Sequence, residues 1–173
     1  MERGRGLSMT RKTLCFDSKK CVGCYACTVA CMDQNDIDVV SDGLMYRHIA
    51  HIESKQAGEV RIVHVSMACM HCDNAECLDA CPAGALRRDA DSGAVVVRRE
   101  LCIGCHACAM ACPFGIPRFG RDGTMQKCDA CYARTRFGYD PACVEICPTG
   151  ALSYGDANEA SAMKLDRFSK TLV

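Results

Sequence analysis

The chain has 173 residues, with 21 basic and 21 acidic side chains, so its formal charge is zero and indicates neither a nucleic-acid nor a membrane partner. Seventeen residues are cysteine, aromatic residues make up 6 %, and tryptophan is absent, so something other than large side chains must fill the interior. The basic N-terminus has no apolar segment typical of a signal peptide, and no apolar run approaches the roughly 18 residues that cross a bilayer. We therefore expect no direct membrane insertion and a cytoplasmic chain, or one brought to a membrane or exported only through a partner subunit.

The predicted elements are short and few. In chain order, strands are predicted at 12–16, 59–66, 85–88, 94–98 and 151–154, and the turn DADSG at 89–93 predicts a hairpin between the third and fourth strands. One or two helical turns are expected just before the last cysteine of each group described below. The tail at 156–173 is predicted to be helical, with Asn158 as its N-cap and with Leu165, Phe168 and Leu172 on one face.

Sixteen of the cysteines form four groups of four, and only Cys15 is left over. In chain order the groups are Cys21, Cys24, Cys27 and Cys31; Cys69, Cys72, Cys77 and Cys81; Cys102, Cys105, Cys108 and Cys112; and Cys128, Cys131, Cys143 and Cys147. The first group, CVGCYACTVAC, returns as CIGCHACAMAC in the third with seven of eleven letters identical. Groups two, three and four all end in C-P-x-G, whereas group one has Met32 in place of the proline. The chain is therefore built on an internal repeat.

Three kinds of chemistry use cysteines in such numbers. A disulfide scaffold is disfavoured because the total is odd, no secretory signal is visible, and cysteines three apart in a tight turn pair poorly. Zinc sites use two separated C-x2-C pairs, which group four resembles, but groups one and three place three cysteines in immediate succession. The run C-x2-C-x2-C-x3-C-P is the ferredoxin signature for a [4Fe–4S] cubane, in which the fourth cysteine ligates the neighbouring cluster. Four groups predict four [4Fe–4S] clusters.

The spacing between the groups predicts which of them exchange their fourth ligand. The 20 residues between Cys81 and Cys102 hold the predicted hairpin, as expected inside a two-cluster ferredoxin unit, so groups two and three form one unit and groups one and four form the other. The predicted ligand sets are Cys69, Cys72, Cys77 and Cys112; Cys102, Cys105, Cys108 and Cys81; Cys21, Cys24, Cys27 and Cys147; and Cys128, Cys131, Cys143 and Cys31. We expect a loop-rich α+β chain, with one ferredoxin-like unit at 12–58 and 113–155, a second at 59–112, and a helical tail at 156–173.

These motifs resemble a known family. The four groups in this order, the C-x2-C-x4-C-x3-C-P form of group two, and KCDACYARTRFGYDPACVEICPTGAL at 127–152 are similar to the iron–sulfur electron-transfer subunits of molybdopterin oxidoreductases. The resemblance covers roughly residues 12–155. It implies four cubanes with the same nested pairing, and single-electron transfer to or from a molybdenum or tungsten catalytic subunit. It also implies a quinone-reactive membrane subunit or a soluble donor as a second partner.

Two functional hypotheses stay open on the sequence alone. The first is the non-catalytic electron-transfer subunit that the resemblance implies, since no acid–base pair, nucleophile set or phosphate loop is visible in the chain. The second is a free-standing polyferredoxin, linked to a hydrogenase or to formate oxidation, without a molybdenum partner. Among the remaining residues, Cys15 is expected to be a small core residue, His106 to be exposed, and Lys127 either to be solvated or to raise the potential of a nearby cluster.

Overall fold

The computed structural model describes residues 12–38, 44–56 and 58–170. Within these ranges the chain forms eight short strands, which pair into four separate two-stranded antiparallel sheets, and six α-helices. The strands are β1 (Lys12–Phe16), β2 (His48–Gln56), β3 (Glu59–Met67), β4 (Leu86–Arg88), β5 (Val95–Val97), β6 (Arg118–Phe119), β7 (Met125–Gln126) and β8 (Leu152–Asp156). The helices are α1 (Ala26–Gln34), α2 (Glu76–Asp79), α3 (Ala107–Ala111), α4 (Tyr132–Thr135), α5 (Ala142–Glu145) and α6 (Ala157–Lys170). Strands and helices are mixed throughout, which is compatible with the expected α+β class.

The first and last predicted strands pair with each other. β1 and β8 run antiparallel with Lys12 opposite Asp156 and Phe16 opposite Leu152. This sheet joins the segment before the first cysteine group to the segment after the fourth. Helices α1 and α5, which lie within those two groups, also pack against each other.

The middle of the chain repeats this arrangement. β4 and β5 form the predicted hairpin, and Asp89 closes its turn because its carboxylate accepts hydrogen bonds from the backbone and the hydroxyl of Ser92 at 2.9 and 2.6 Å. Helices α2 and α3, from cysteine groups two and three, pack together as α1 and α5 do. The predicted helical turns before each final cysteine are confirmed, although α1 extends to nine residues.

The longest hairpin contains a strand that the sequence did not indicate. β3 confirms the predicted strand at 59–66, but its partner β2 was not predicted. The reason is that Ile49 and Ile52 of β2 are three residues apart and so lie on opposite faces of the strand, which hides the period-two pattern. Ile52 and Val60 are exposed, and the hairpin is held largely by its backbone ladder. The short pair β6–β7 and helix α4 were also not predicted.

Two small cores are built around cysteines rather than around aromatic side chains. One contains Leu86, Val95, Met125 and Cys108, and the other contains Leu152 with two cysteines from groups one and four. In both cores thiols occupy the space where a larger domain would place large apolar side chains. This agrees with the expectation from composition that large side chains do not fill the interior.

Helix α6 begins one residue later than predicted and has a different cap. Asp156, not Asn158, is the N-cap, since its carboxylate accepts from the backbone N–H groups of Asn158 and Glu159 at 2.7 and 3.2 Å. Leu165 is 69 % exposed, while the Phe168 side chain and Leu172 lie outside the described residues. In the part of the chain that the structure describes, no helix has both the length and the apolar character needed to cross a membrane.

Candidate iron–sulfur centres

The first C-x2-C loop of each group turns through a left-handed residue at the same place. The second spacer residue has positive φ in all four groups, at Gly23 (67°), His71 (48°), Gly104 (67°) and Ala130 (60°). This turn directs backbone N–H groups back toward the first sulfur of the loop, as His71 N to Cys69 Sγ at 3.5 Å and Ala130 N to Cys128 Sγ at 3.4 Å illustrate. The glycine at Gly104 is also required by space, because an added Cβ would lie 2.7 Å from the Gly123 carbonyl oxygen. Each of these loops therefore places backbone N–H donors beside its cysteine sulfurs.

The C-P-x-G segments surround their cysteines with further backbone donors. Ala85 N lies 3.3 Å from Cys81 Sγ, and Cys147 has the equivalent donors at 149–152. Burial by itself raises the pKa of both thiols, but these hydrogen bonds outweigh it and lower the pKa below the ordinary value for cysteine. Because the thiolate is the metal-binding form, the two segments favour ligation by Cys81 and Cys147.

Two cavities are each lined by four cysteines drawn from two sequence groups. The first, of about 20 Å³, is lined by Cys21, Cys24, Cys27 and Cys147. The second, also of about 20 Å³, is lined by Cys81, Cys102, Cys105 and Cys108. Apolar side chains such as Ile49, Leu86 and Met125 complete the two linings. Three cysteines of one group thus meet the fourth cysteine of another, which is the arrangement expected for an exchanged-ligand cubane.

The other eight cysteines also meet across groups. Burial raises the pKa of the Cys31 thiol, the group-four cysteines Cys128, Cys143 and Cys131 raise it further, and the nearby Arg47 guanidinium opposes them. Burial likewise raises the pKa of Cys77, and Cys69, Cys112 and Cys72 raise it further. Among the described residues, no set of three or more histidine, cysteine or acidic side chains is arranged to hold a single metal ion.

The four sets of cysteines form a sequence of neighbours. Cys27 of the first cavity interacts electrostatically with Cys143, Cys128 interacts with Cys69, and Cys77 interacts with Cys108 of the second cavity. We name each set by the sequence group from which three of its cysteines come. These interactions link the sets in the order site one, site four, site two and site three.

Burial changes along this order. Cys24 in site one and Cys105 in site three are exposed, and they occupy the same position of the repeat. All four cysteines of site four, by contrast, are buried, and burial raises the pKa of Cys128 to about 12. Site four is the most enclosed of the four, whereas sites one and three each reach the surface at one cysteine.

Three polar residues lie beside the cysteines, of which the sequence indicated only Lys127, as one of two alternatives, and neither Arg47 nor Ser66. Arg47 is 2 % exposed and donates to Ser66 Oγ at 2.8 Å, and that hydroxyl lies 3.7 Å from Cys27 Sγ. The Lys127 side chain is 4 % exposed, which rules out the solvated alternative, and its ammonium donates to the carbonyls of Val95 and Cys128. The signal available in the sequence was the position of Lys127 next to Cys128; Arg47 lies outside every motif.

The remaining candidate residues lie outside the predicted ligand sets. Cys15 lies in β1 opposite Ser153 and is half-buried, so it is not the core residue that was expected. His106 is exposed, as expected, and stacks on Phe119 with ring centroids 3.8 Å apart. His51 contacts both Tyr25 and His64 at 2.7 Å on the surface beside the group-one loop.

The residues present fit iron–sulfur clusters. Four cysteines line each of the two cavities, backbone N–H groups donate to ligand-loop sulfurs, and the cavity linings are otherwise largely apolar. Within the described residues Arg47 Nε is a buried donor with no hydrogen-bond partner in the protein. A group rich in sulfur acceptors beside it would satisfy this donor. The arrangement defines a ferredoxin-type iron–sulfur protein.

Comparison with known proteins agrees with this class. Residues 60–157 match the family described as "4Fe-4S dicluster domain", and residues 18–32 match "4Fe-4S binding domain". The sequence is 38 % identical to a subunit of the anaerobic dimethyl sulfoxide reductase of Haemophilus influenzae, over 83 % of this chain and 73 % of the relative. It is 40 % identical to the thiosulfate reductase electron transfer subunit PhsB of Salmonella typhi, over 86 % and 77 %. It is 38 % identical to the iron–sulfur subunit of the nitrate-inducible formate dehydrogenase of Escherichia coli, over 90 % of this chain and 58 % of that relative.

These matches decide the family. The chain therefore belongs to the iron–sulfur electron-transfer subunits of the molybdopterin oxidoreductases. The resemblance seen in the sequence is confirmed, and the electron-transfer hypothesis is favoured over the free-standing carrier.

Proposed function

We propose that this chain conducts single electrons along four [4Fe–4S] clusters, each held by three cysteines of one group and the fourth cysteine of another. The proposed ligand sets are Cys21, Cys24, Cys27 and Cys147 at site one; Cys128, Cys131, Cys143 and Cys31 at site four; Cys69, Cys72, Cys77 and Cys112 at site two; and Cys102, Cys105, Cys108 and Cys81 at site three. The observation that carries the proposal is the meeting of cysteines from paired groups, which the two cavities illustrate most directly.

A bound cubane supplies a one-electron couple whose potential depends on hydrogen bonds, charge and solvent exposure. The protein's own residues provide these three conditions. Backbone N–H groups such as those of Ala85 and Ala130 donate to ligand sulfurs, and the buried cysteines of site four exclude water. The spatial order one, four, two, three supports a linear path in which Cys24 and Cys105 mark the two ends.

The same pairing supports two ferredoxin-like units, at 12–58 with 113–155 and at 59–112, followed by the helical tail at 156–173. Sheet β1–β8 and helices α1 and α5 belong to the first unit, and sheet β4–β5 and helices α2 and α3 belong to the second. The proposed boundary between 58 and 59 lies in the turn of the β2–β3 hairpin. That hairpin therefore connects the two units.

We further propose two protein partners, one at each end of the path: a molybdenum or tungsten catalytic subunit, and a quinone-reactive membrane subunit or soluble donor. The names of the relatives, which are reductase and dehydrogenase subunits, support an oxidoreductase partner. The surface also supports two contact regions, because Val22 and Ile103, at equivalent repeat positions beside the exposed cysteines, are both exposed apolar side chains. In this proposal the chain itself performs no bond chemistry and is cytoplasmic, or reaches a membrane or the cell exterior only through a partner subunit.

The decisive experiment is metal analysis of the tagged chain purified without oxygen from its own host. About sixteen irons per chain with molybdenum or tungsten in the same preparation is the expected result. The same iron content with neither metal would favour the free-standing polyferredoxin. Zinc in place of iron would refute both hypotheses.

The two ends of the path are tested separately with charge substitutions on the purified complex. Val22→Asp is expected to slow electron exchange with one partner, and Ile103→Asp with the other, while iron content stays unchanged. Leu165→Asp, at an exposed apolar position on α6, is the matched control. If both loop variants impaired exchange with the same partner, the linear path with two ends would be wrong.

A further inference from the structure

Site four combines the deepest burial with two buried cations. Its cysteines are all buried, and burial is the largest influence on each thiol, raising the pKa of all four. A cluster held by four thiolates is anionic, and accepting an electron increases its negative charge. Burial without compensation therefore disfavours the reduced state and lowers the reduction potential.

Arg47 approaches site four from the side that faces site one. Burial raises the pKa of Cys31 and Cys143, whereas the nearby Arg47 guanidinium opposes this effect at both thiols. Its Nη1 donates to Ser66, and because that oxygen accepts from Arg47, the hydroxyl hydrogen can donate to Cys27 of site one. Arginine stays protonated in proteins, so this charge is permanent.

Lys127 approaches site four from the side that faces site two. Its ammonium is fixed by two backbone carbonyls, of Val95 in β5 and of Cys128. From there it acts on ligands of both sites, since it opposes the effect of burial on Cys128 and on Cys77. No carboxylate appears in the described contacts of either Arg47 or Lys127.

We propose that the buried positive charges of Arg47 and Lys127 raise the reduction potential of the cluster at site four. The enclosed cluster can then accept electrons from its neighbours. This inference rests on the proposed function, because it requires a cluster at that site. The two cations replace the stabilisation that water gives to an exposed cluster. Buried charges of this kind persist only where an opposite charge compensates them, which the anionic cluster does.

The test is an anaerobic redox titration of the intact complex, followed by electron paramagnetic resonance and accompanied by iron analysis. The variants are Arg47→Gln, Arg47→Lys and Lys127→Met. The control is Arg99→Gln, which removes the same charge from an exposed arginine that pairs with Asp122 at 2.9 Å. The signal of site four is identified as the one that disappears in Cys131→Ala.

Arg47→Gln and Lys127→Met are each expected to shift the reduction equilibrium of that signal at least tenfold toward the oxidised form, which is 59 mV for a one-electron couple. Arg47→Lys, which keeps the charge, and Arg99→Gln are expected to change it less than threefold. Unchanged potentials in Arg47→Gln and Lys127→Met with full iron content would overturn the proposal, and so would an equal shift in Arg99→Gln. If Arg47→Gln loses its iron, the proposal is tested on Lys127→Met alone: a shift of at least tenfold supports it, and an unchanged potential overturns it. Failure of the proposed function is recognised separately, as an unaltered chain with far fewer than about sixteen irons.

Discussion

The proposed exchange of ligands predicts how iron losses combine. Cys24 and Cys147 come from different sequence groups but line the same cavity, so alanine at either position leaves three ligands at site one. Each single variant should lose one cubane and keep about twelve of about sixteen irons. The double variant should also keep about twelve, because both substitutions act on the same cluster. By contrast, Cys131→Ala combined with Cys147→Ala should keep only about eight, although both residues belong to group four.

The assay is iron and acid-labile sulfide per chain, together with the integrated spin of the dithionite-reduced protein, on anaerobically purified samples. Cys15→Ala is the control, since Cys15 lies in β1 and lines neither cysteine cavity, and it should keep all of its iron. The reasoning is refuted if the two double variants give the reverse result. About eight irons for the Cys24 and Cys147 pair and about twelve for the Cys131 and Cys147 pair would mean that each group retains its own fourth ligand.

Three further predictions concern the supporting structure. Gly104→Ala should speed the loss of visible iron–sulfur absorption in denaturant, because a left-handed alanine costs about 1–2 kcal/mol and its Cβ would lie 2.7 Å from a carbonyl oxygen. Ser92→Ala should lower the free energy of unfolding at pH 7 by about 1.5–3 kcal/mol, since it removes the Ser92 hydroxyl hydrogen bond, which is the largest cause that lowers the pKa of Asp89. A depressed carboxyl pKa gives stability that is lost as the pH falls, so the difference in urea midpoint from the unaltered chain should narrow toward acid pH. Asp156→Ala should cost about 1 kcal/mol and reduce the helical circular dichroism, whereas Asn158→Ala should have little effect, because Asp156 is the cap of α6.

Much of the site could be predicted because iron–sulfur chemistry restricts local sequence. A cubane needs thiolates at fixed intervals with left-handed residues between them, and the loops around Gly23 and Gly104 have those intervals and the same φ of 67°. The strands at 12–16 and 94–98 could be predicted for a similar reason, because short runs of strand-favouring residues indicate them without knowledge of distant contacts. The cap of α6 was predicted wrongly, at Asn158, because the cap is decided by which carboxylate or amide accepts from the first N–H groups of the helix, and that group is Asp156.

What the sequence did not reveal depends on contacts between distant segments. Arg47 stands immediately before β2, and Ser66 lies in β3 opposite Ile49, so the register of the β2–β3 hairpin places the two side chains together beside Cys27. Because β2 carries no period-two pattern, neither that register nor the burial of Arg47 could be derived from the sequence.

Lys127, on the other side of site four, also shows the difference between what a local motif indicates and what distant contacts determine. Its place next to Cys128 was visible in the sequence, but its burial depends on Val95, a residue of the β4–β5 hairpin whose carbonyl accepts from the ammonium. Ligands are specified by short motifs, because each loop must wrap its own corner of a cluster. Charge compensation for a buried cluster comes from whichever segments the fold brings alongside it. The kind of cluster that such a protein binds is therefore predictable from its sequence, whereas the burial of Arg47 and Lys127 beside the cysteines depends on its tertiary structure.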